Sequence, residues 1–382
     1  MAGDVFGRVF RVSSFGESHG AAVGCVVEGC PAGIEIAEAD VAAELERRRP
    51  GAWGDRDAAA AVSPRAEPDR PELLSGVFEG RTTGAPIALV VRSVDQHSGD
   101  YESYRGVLRP GRGDPGWAAK YGHRDHRGGG RLSGRETAAR VAAGAIAKKF
   151  LAASGIHVYA FTLRAAGVSC GDVRAGSPLD EAARREIESN AMRAPDAEAA
   201  RRMLEAVRRA REAGDSAGGI VECRATGLPR GLGEPVFEGL DALLGGAAMS
   251  IPGVKGVEFG AGFGAADLRG SDYLDAAEPA ASGGDAGGPD AAAGGISWRS
   301  NRAGGVAGGL STGAELVLRV AVKPTPTVAI PIDSLDETGR AVKVTGSGRH
   351  DACLCPRLVP VLEAMVALVL ADCVLLGRAA RA

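Results

Sequence analysis

The spacing of apolar residues along the chain predicts a domain in which helices and strands are mixed. Short runs that are continuously apolar, or that alternate apolar with polar residues, predict strands at 5–12, 21–28, 84–92, 219–226 and 314–322. Longer stretches with apolar residues three or four positions apart predict helices at 38–49, 133–153, 179–189, 195–213, 236–249 and 357–377. No fixed-period repeat and no dividing linker is present, so we expect one intertwined α+β domain over residues 1–382.

End signals support several of these helices. The helix at 38–49 has acidic residues in its first turn and ends in Arg47-Arg48-Arg49, which suits the helix dipole. Ser133 followed by Glu136 has the spacing of a capping box, and Pro195 is expected at the first position of its helix.

The last helix is the most apolar part of the chain. The stretch 358–376 is just long enough to span a bilayer. It contains Pro360, Glu363 and Asp372, which favour a buried helix over a membrane span.

Glycine is concentrated in a few segments. The chain has 57 glycines among 382 residues, roughly twice the ordinary proportion. Residues 105–131 are dense in glycine and arginine, and we expect a long functional loop there. Residues 52–71 and 276–295 are predicted to be loop insertions in the single domain.

Charge and cysteine content narrow the class of protein. The net charge of −3 gives no general attraction to nucleic acid or membrane, so neither is an expected partner. The seven cysteines show no CxxC or zinc-binding spacing, and no metal site is expected. Their odd number and the absence of a secretory pattern at the start fit reduced thiols, and hence a cytoplasmic location.

The turn from Arg127 to Arg135 is the first candidate for chemistry. Glycines immediately before a helix allow backbone N–H groups to approach an anion, and the helix N-terminus adds partial positive charge. Three arginines make phosphate or carboxylate the expected ligand. A surface turn with solvated arginines explains the same pattern equally well.

Four other segments carry weaker signals, and each has a plainer structural explanation when it is taken alone. They are Gly16–Gly20, which contains His19, the glycine-rich stretch Ser300–Gly309, the proline-rich Lys323–Thr327, and Gly348–Asp351.

Together these segments resemble the chorismate synthase family, whose order they follow from residue 3 to about residue 376. The matching segments are Phe15–Gly20, Arg47–Gly51, Arg109–Gly111, Arg127–Arg135, Asp215–Ser216, Met249–Pro252, Asn301–Gly309, Lys323–Thr327 and Gly348–Asp351. The resemblance implies a β-α-β sandwich with pseudo-symmetric halves, usually a homotetramer.

The same resemblance implies a lyase of aromatic amino acid biosynthesis, the shikimate pathway. Such an enzyme converts 5-enolpyruvylshikimate 3-phosphate to chorismate and phosphate by a 1,4-anti elimination. Reduced FMN (FMNH2) is required although the reaction has no net redox change. No dinucleotide-binding unit is attached, so we expect an external supply of reduced flavin, with NADPH as an indirect reductant.

The resemblance also assigns residues. Arg48, Arg109, Arg135 and Arg349 are expected to bind the substrate, and Arg48 and Arg56 to lie at a site for NADP. The residues expected to hold FMN are Arg131, Leu132, Ser133, Pro252, Gly253, Gly308, Lys323, Pro324, Thr325, Pro326, Thr327 and Arg349. His19 is expected to protonate or hydrogen-bond the reduced flavin, and Asp351 to help flavin N5 accept the substrate proton.

The chain departs from the family at Arg112. The family usually has a histidine at this position, as the acid toward the leaving phosphate. Arg112 keeps the positive charge but cannot release a proton near neutral pH, so we assign it a catalytic role through charge. His123 or His126 is an alternative source of the proton. Arg56 also stands two positions beyond the family's usual binding arginine.

Two other classes of function stay open. A degenerate homologue would bind flavin or phosphorylated acids with little or no turnover, and Arg112 is the reason to consider it. An unrelated module could use the Gly/Arg segments to bind anions or nucleic acid, which would show a steep salt dependence.

Overall fold

The structure is a computed structural model that describes residues 3–49, 67–95, 98–171, 173, 181–280, 295–346 and 350–380. The strands are β1 (Val5–Phe6), β2 (Arg11–Gly16), β3 (Ala22–Glu28), β4 (Pro71–Leu73), β5 (Val77–Phe78), β6 (Arg81–Thr82), β7 (Ile87–Arg92), β8 (His157–Ala165), β9 (Val168–Ser169), β10 (Gly219–Thr226), β11 (Val254–Phe259), β12 (Ala277–Pro279), β13 (Ile296–Trp298), β14 (Val306–Ala307), β15 (Leu310–Ser311), β16 (Leu316–Val322), β17 (Ile332–Leu335) and β18 (Ala341–Val344). The helices are α1 (Glu38–Arg48), α2 (Asp114–Tyr121), α3 (Thr137–Ala152), α4 (Glu181–Glu188), α5 (Ala197–Glu212), α6 (Leu240–Met249), α7 (Gly270–Tyr273) and α8 (Cys355–Ala379).

Five antiparallel strands form the first sheet, in the order β1-β2-β3-β7-β4. The register pairs Cys25 of β3 with Ser14 of β2 on one side and with Leu89 of β7 on the other. Val23, Cys25 and Val27 alternate along β3 and are fully buried, so one face of this sheet covers the core.

The second sheet has the same number of strands, in the order β11-β16-β10-β8-β9, and is also antiparallel. Here the register pairs Cys223 of β10 with Ala160 of β8 and Leu318 of β16. All three of these residues are buried.

Helices fill the space between the two sheets. α3 packs on the first sheet, α8 packs on the second, and the two helices contact each other. Their backbones approach closely at Gly144, where a Cβ atom would come within 2.3 Å of the Cβ of Ala364. This order of sheet, helices and sheet confirms the expected α+β fold, a β-α-β sandwich.

The last helix lies inside the sandwich. By length and composition alone α8 is apolar enough to cross a membrane, but 94% of its most apolar window is buried within the fold. The prediction of a buried helix at 357–377 is therefore confirmed, and the observed helix begins two residues earlier.

The prediction of a continuous loop at 105–131 is wrong in its middle, where α2 lies. This helix begins with Asp114, its only buried residue, and ends against Gly122, whose φ is +70°. It has no apolar face, so the hydrophobic pattern could not show it.

Two predicted helix starts are also corrected. A 3-10 turn, Gly134–Glu136, separates Ser133 from α3, and the Ser133 hydroxyl accepts a hydrogen bond from the backbone of Arg135. Glu136 pairs with Arg140 instead of completing a capping box. The N-cap of α5 is Asp196, whose carboxylate accepts hydrogen bonds from the first turn. Pro195 therefore precedes the N-cap and is not the first residue of the helix.

Other element predictions agree to within a few residues, with one further correction. The predicted strand at 5–12 is divided between β1 and β2, and β2 continues to Gly16. The two predicted insertions lie largely outside the described residues. The described ends of the second, 276–280 and 295, belong to the hairpin that β12 forms with β13.

Candidate active site

A cavity of about 710 Å³ opens where loops associated with both sheets meet. Its lining comes from the turn after β2, the end of α1, the turn between α6 and β11, the segment after β16 and the start of α8. Residues that are far apart in the sequence therefore face a common space.

Positive charge predominates on the walls. Among the described residues, seven arginines and two lysines line the cavity, against five carboxylates. These cations are Arg48, Arg109, Arg112, Arg131, Arg135, Arg140, Lys255, Lys323 and Arg357. In a chain with a net charge of −3, this concentration favours a small ligand that carries several negative charges.

Asp69 lies between two of the predicted substrate arginines. Arg48 Nη2 donates to Asp69 Oδ2 at 2.8 Å, and Arg135 Nη1 donates to Asp69 Oδ1. Burial raises the pKa of Asp69, but the charges of Arg48 and Arg135 outweigh it and hold that pKa below its ordinary value. Glu67 Oε2 also lies 3.9 Å from Arg135 Nη2, so two buried carboxylates hold these two guanidinium groups in place at the wall.

Helix α2 fixes the position of Arg109. Asp114, its first residue, accepts from Arg109 Nε at 2.6 Å and from Arg109 Nη2 at 2.8 Å. The guanidinium also lies over the ring of Tyr104, 5.7 Å from the centroid. Arg109 is thus held rigidly at the cavity by a helix that the sequence pattern did not predict.

Three other cations on the cavity wall are not neutralised by a carboxylate among the described residues. Within the described parts of the chain, Arg112, Lys255 and Lys323 form no ion pair with a carboxylate. Arg112 donates to the hydroxyl of Thr327, and Lys323 Nζ donates to the carbonyl of Gly111 at 2.7 Å.

Two of these cations, Arg112 and Lys323, have lowered pKa values, first because of burial and then because of neighbouring positive charge. Burial lowers the pKa of Arg112, and the charge of Arg109 lowers it further. Burial also lowers the pKa of Lys323, followed by the charges of Lys255 and Arg112. A bound anion would relieve this repulsion, so this wall is well suited to a phosphate or carboxylate.

His19 lies under the glycine turn at 128–130. Its ring is buried and meets the ring of Tyr101 edge-on, with 4.9 Å between centroids. Gly128 has a φ of +64°, and a Cβ atom there would lie 2.3 Å from His19 Cδ2. The turn therefore needs glycine at this position for two reasons: the backbone conformation and the space occupied by the imidazole.

Asp351, which lies just before α8, forms an ion pair with Arg357 in the first turn of that helix. Arg357 Nη1 donates to Asp351 Oδ2 at 2.5 Å, and Arg357 Nε donates to the carbonyl of Arg48 at 3.1 Å. Both Asp351 and Arg357 line the cavity, so the carboxylate predicted to help flavin N5 accept the substrate proton is linked to the arginine-rich wall.

Most of the predicted flavin-binding residues border the cavity. Those that line it are Arg131, Leu132, Ser133, Pro252, Gly253, Lys323, Thr325 and Pro326. Thr327 lines a side recess instead, and Pro324 lines neither space. Gly308 lies in the turn between β14 and β15, away from the cavity of the single chain. Arg56 and Arg349 lie outside the described residues.

The alternative acids proposed from the sequence are not brought to the site. Neither His123 nor His126 lines the cavity, and His126 Nε2 lies 3.2 Å from Glu102 Oε2. His350 does line it, beside Asp351.

Sequence reasoning missed several residues that order the site, among them Asp69, Asp114, Lys255 and Arg357. A buried carboxylate among arginines in the Arg/Pro/Asp-rich segment before β4 could have indicated Asp69. No local signal distinguishes the others.

In the portion of the chain that the structure covers, no cluster of three or more His, Cys, Asp or Glu residues could hold a metal ion.

A cation-lined cavity that contains a buried imidazole and a carboxylate defines an enzyme acting on a small polyanion. The comparisons with known proteins identify which one. The family model for chorismate synthase matches residues 10–375. The chain is 50% identical to the chorismate synthase of Syntrophobacter fumaroxidans, over 97% of both chains. It is 51% identical to that of Chloroflexus aurantiacus, over 100% of this chain and 98% of the relative.

A solved structure described as the crystal structure of chorismate synthase is similar in fold, with a TM-score of 0.75 and 30% identity over 97% of this chain and 93% of the other. The chain belongs to the chorismate synthase family. It is a lyase of the shikimate pathway that converts 5-enolpyruvylshikimate 3-phosphate to chorismate and phosphate. These findings favour the active enzyme over the alternative of a degenerate homologue.

Proposed function

We propose that the 710 Å³ cavity binds 5-enolpyruvylshikimate 3-phosphate together with reduced FMN, and that the 1,4-anti elimination takes place there. The observation that carries the proposal is the surplus of cations among the described residues of its walls, nine against five carboxylates. The substrate has one phosphate and two carboxylates, and it would neutralise cations such as Arg112 and Lys323 that lack a carboxylate partner among the described residues.

The residues present fit a flavin. Ser18 Oγ and Thr325 Oγ1 are buried at the cavity and have no hydrogen-bond partner within the described ranges, so both hydroxyls can bond to a ligand. Gly253, with a φ of +100°, leaves its backbone open to close approach. We assign the isoalloxazine and phosphate contacts to Arg131–Ser133, Pro252–Gly253 and Lys323–Pro326, with Thr327 and Gly308 as outer members of the set.

Six polar residues at the wall then have a part in the reaction, and a seventh, Arg357, holds one of them in place. When bound, the reduced flavin supplies an electron-rich ring that promotes departure of phosphate. Arg48, Arg109 and Arg135 hold the anionic groups of the substrate, and Arg112 stabilises the charge that develops on the phosphate. Asp351, held by Arg357, receives the proton that leaves the ring, and His19 holds a proton toward the flavin.

The reduced flavin comes from outside this chain in our proposal. NADPH acts only as an indirect reductant, the enzyme is cytoplasmic and it assembles as a homotetramer without nucleic acid or membrane. Sustained aerobic turnover of highly purified protein with NADPH and oxidised FMN alone would contradict the external supply.

An anaerobic assay tests the proposed function. Purified protein is mixed with substrate and chemically reduced FMN, and chorismate absorbance and released phosphate are followed together. We expect equal amounts of both products. The matched pair is Asp351→Asn, which should abolish most turnover, and Asp333→Asn on the exposed β17–β18 hairpin, which should not. Flavin binding without any product at high enzyme concentration would refute the proposal.

A further inference from the structure

Departure of phosphate from carbon is eased by a proton donor, and the cavity offers few. The arginines on its walls cannot release a proton near neutral pH. Among the described histidines only His19 and His350 line the cavity, whereas His123, His126 and His157 do not. His19 is buried beneath Gly128 and has a part in the proposed function already.

His350 is also placed beside the phosphate-binding cations. A side recess of about 30 Å³ adjoins the cavity, and its lining includes His350, Arg109 and Arg112. All three residues line the main cavity as well. An anion held by the two guanidinium groups at the mouth of this recess would lie next to the half-buried imidazole.

We infer that His350 is the general acid that protonates the departing phosphate. This inference rests on the proposed function, because it requires the phosphate ester to bind in this cavity. Arg112 supplies charge and His350 supplies the proton, and both side chains line the same recess.

The step balances without a further reagent. The pair of electrons from the broken ring C–H bond forms a new double bond, and the existing ring double bond shifts. The C–O bond to phosphate then breaks, and its electron pair leaves with the phosphate oxygen. That oxygen takes the imidazolium proton of His350, and the imidazole regains a proton from solvent. The ring proton is received at Asp351.

His350→Asn is the central variant, and His126→Asn is its matched control, since His126 lies outside the cavity lining. General acid catalysis contributes typically about 10²–10⁴-fold, so we expect kcat of His350→Asn to fall by about 100-fold with KM nearly unchanged. In the parent, kcat should decline as the pH rises through the imidazole pKa. This limb should vanish in His350→Asn and persist in His126→Asn.

A second arm separates acid catalysis from a structural effect. Sulfate is a weakly basic leaving group that departs without a proton, so the 3-sulfate analogue of the substrate should lose much less rate in His350→Asn than the phosphate does. Substrate binding without flavin, measured by calorimetry in two buffers of different ionisation enthalpy, should show proton uptake in the parent and less in the variant.

If His350→Asn folds poorly, the inference can still be tested with the unmodified protein, by comparing its pH profiles for the two leaving groups. Its kcat for the phosphate should show the alkaline decline, and its kcat for the sulfate should not. Equal pH profiles for both leaving groups, or an unchanged kcat in His350→Asn, would overturn the role of His350 while the proposed function stands. A parent that makes no chorismate would overturn both.

Discussion

Arg357 and Asp351 form an ion pair on the cavity wall, with 2.5 Å between Arg357 Nη1 and Asp351 Oδ2. The same guanidinium donates through Nε to the backbone carbonyl of Arg48. It therefore connects the first turn of α8 with the end of α1, and it fixes the carboxylate relative to an arginine that is expected to hold the substrate. We regard Arg357 as a positioning residue.

Removing that guanidinium should disorder the proton acceptor without removing it. We expect Arg357→Ala to lower kcat by about 100-fold, since a displacement of about 1 Å at a catalytic group can have that effect. Arg357→Lys keeps the charge but cannot bridge both partners, and it should recover only part of the rate. The pH dependence of kcat should change in Arg357→Ala and resemble that of the parent in Arg357→Lys. Identical kcat and pH profiles in all three proteins would show that Asp351 needs no such support.

Arg112 offers a direct test of how the leaving phosphate is held. Arg112→Ala should raise KM and lower kcat, because the phosphate charge loses a partner that has no carboxylate of its own among the described residues. Arg112→His should retain substantial activity. The control is Arg201→Ala, on the exposed surface of α5, which should match the parent. If Arg112→Ala equals the parent in rate and affinity, the side chain does not face the substrate.

The sequence predicted the framework well because its apolar patterns are local. The strand β10 lies at 219–226 as predicted, and the apolar residues that mark α8 are those buried in the sandwich. The exposed helix α2 has no apolar face, so no periodicity could indicate it. Its absence from the prediction concealed the way Asp114 anchors Arg109.

The candidate site was only partly predictable for a related reason. The motifs supplied His19, Arg112 and Asp351 as separate segments. The pairings that orient such groups join distant residues: Asp69 with Arg135 across 66 positions, and Arg357 with the carbonyl of Arg48 across 309. Such contacts depend on how the helices pack between the sheets, so they cannot be inferred from composition or from the spacing of residues.

Glu363 is a second ionic centre, within the helical layer. Its side chain is 1% exposed. Arg47 donates to both of its oxygens, at 2.7 and 2.9 Å, and Lys148 donates to Oε2. Burial raises the pKa of Glu363, but the charges of Arg47 and Lys148 outweigh burial and hold that pKa well below its ordinary value. The ionised carboxylate thus joins α8 to α1 and α3.

Glu363→Gln should therefore destabilise the fold by about 1–3 kcal/mol, because a buried, charged acceptor of several hydrogen bonds is lost. Arg47 keeps its pairs with Glu44 and Glu188, and Lys148 keeps its pair with Glu44, which limits the loss. A carboxyl whose pKa is depressed on folding contributes stability above its unfolded pKa, about 4.3 for Glu, and loses that contribution as the pH falls toward the folded pKa. Urea unfolding across this acidic range should show a steeper decline for the parent than for Glu363→Gln. Glu46→Gln, at an exposed pair with Arg49, should change stability by less than about 0.5 kcal/mol. Equal losses in the two variants would contradict the assignment.

Gly128 allows the position of His19 to be tested without changing the imidazole itself. A methyl group at this residue would lie 2.3 Å from His19 Cδ2 and 2.5 Å from Ser18 Oγ, so Gly128→Ala should displace both side chains. Gly106 has a similar φ, +70° against +64°, but its nearest neighbour atom is 3.9 Å away. Gly106→Ala therefore has the same backbone strain, about 1–2 kcal/mol, without the collision. We expect Gly128→Ala to lose more stability than Gly106→Ala, because the collision adds to the shared backbone strain, and we expect kcat to fall by about 100-fold only in Gly128→Ala. Flavin affinity measured by fluorescence should weaken in parallel. If the two variants lose activity equally, the effect comes from the strained turn, and the position of His19 is not what the reaction depends on.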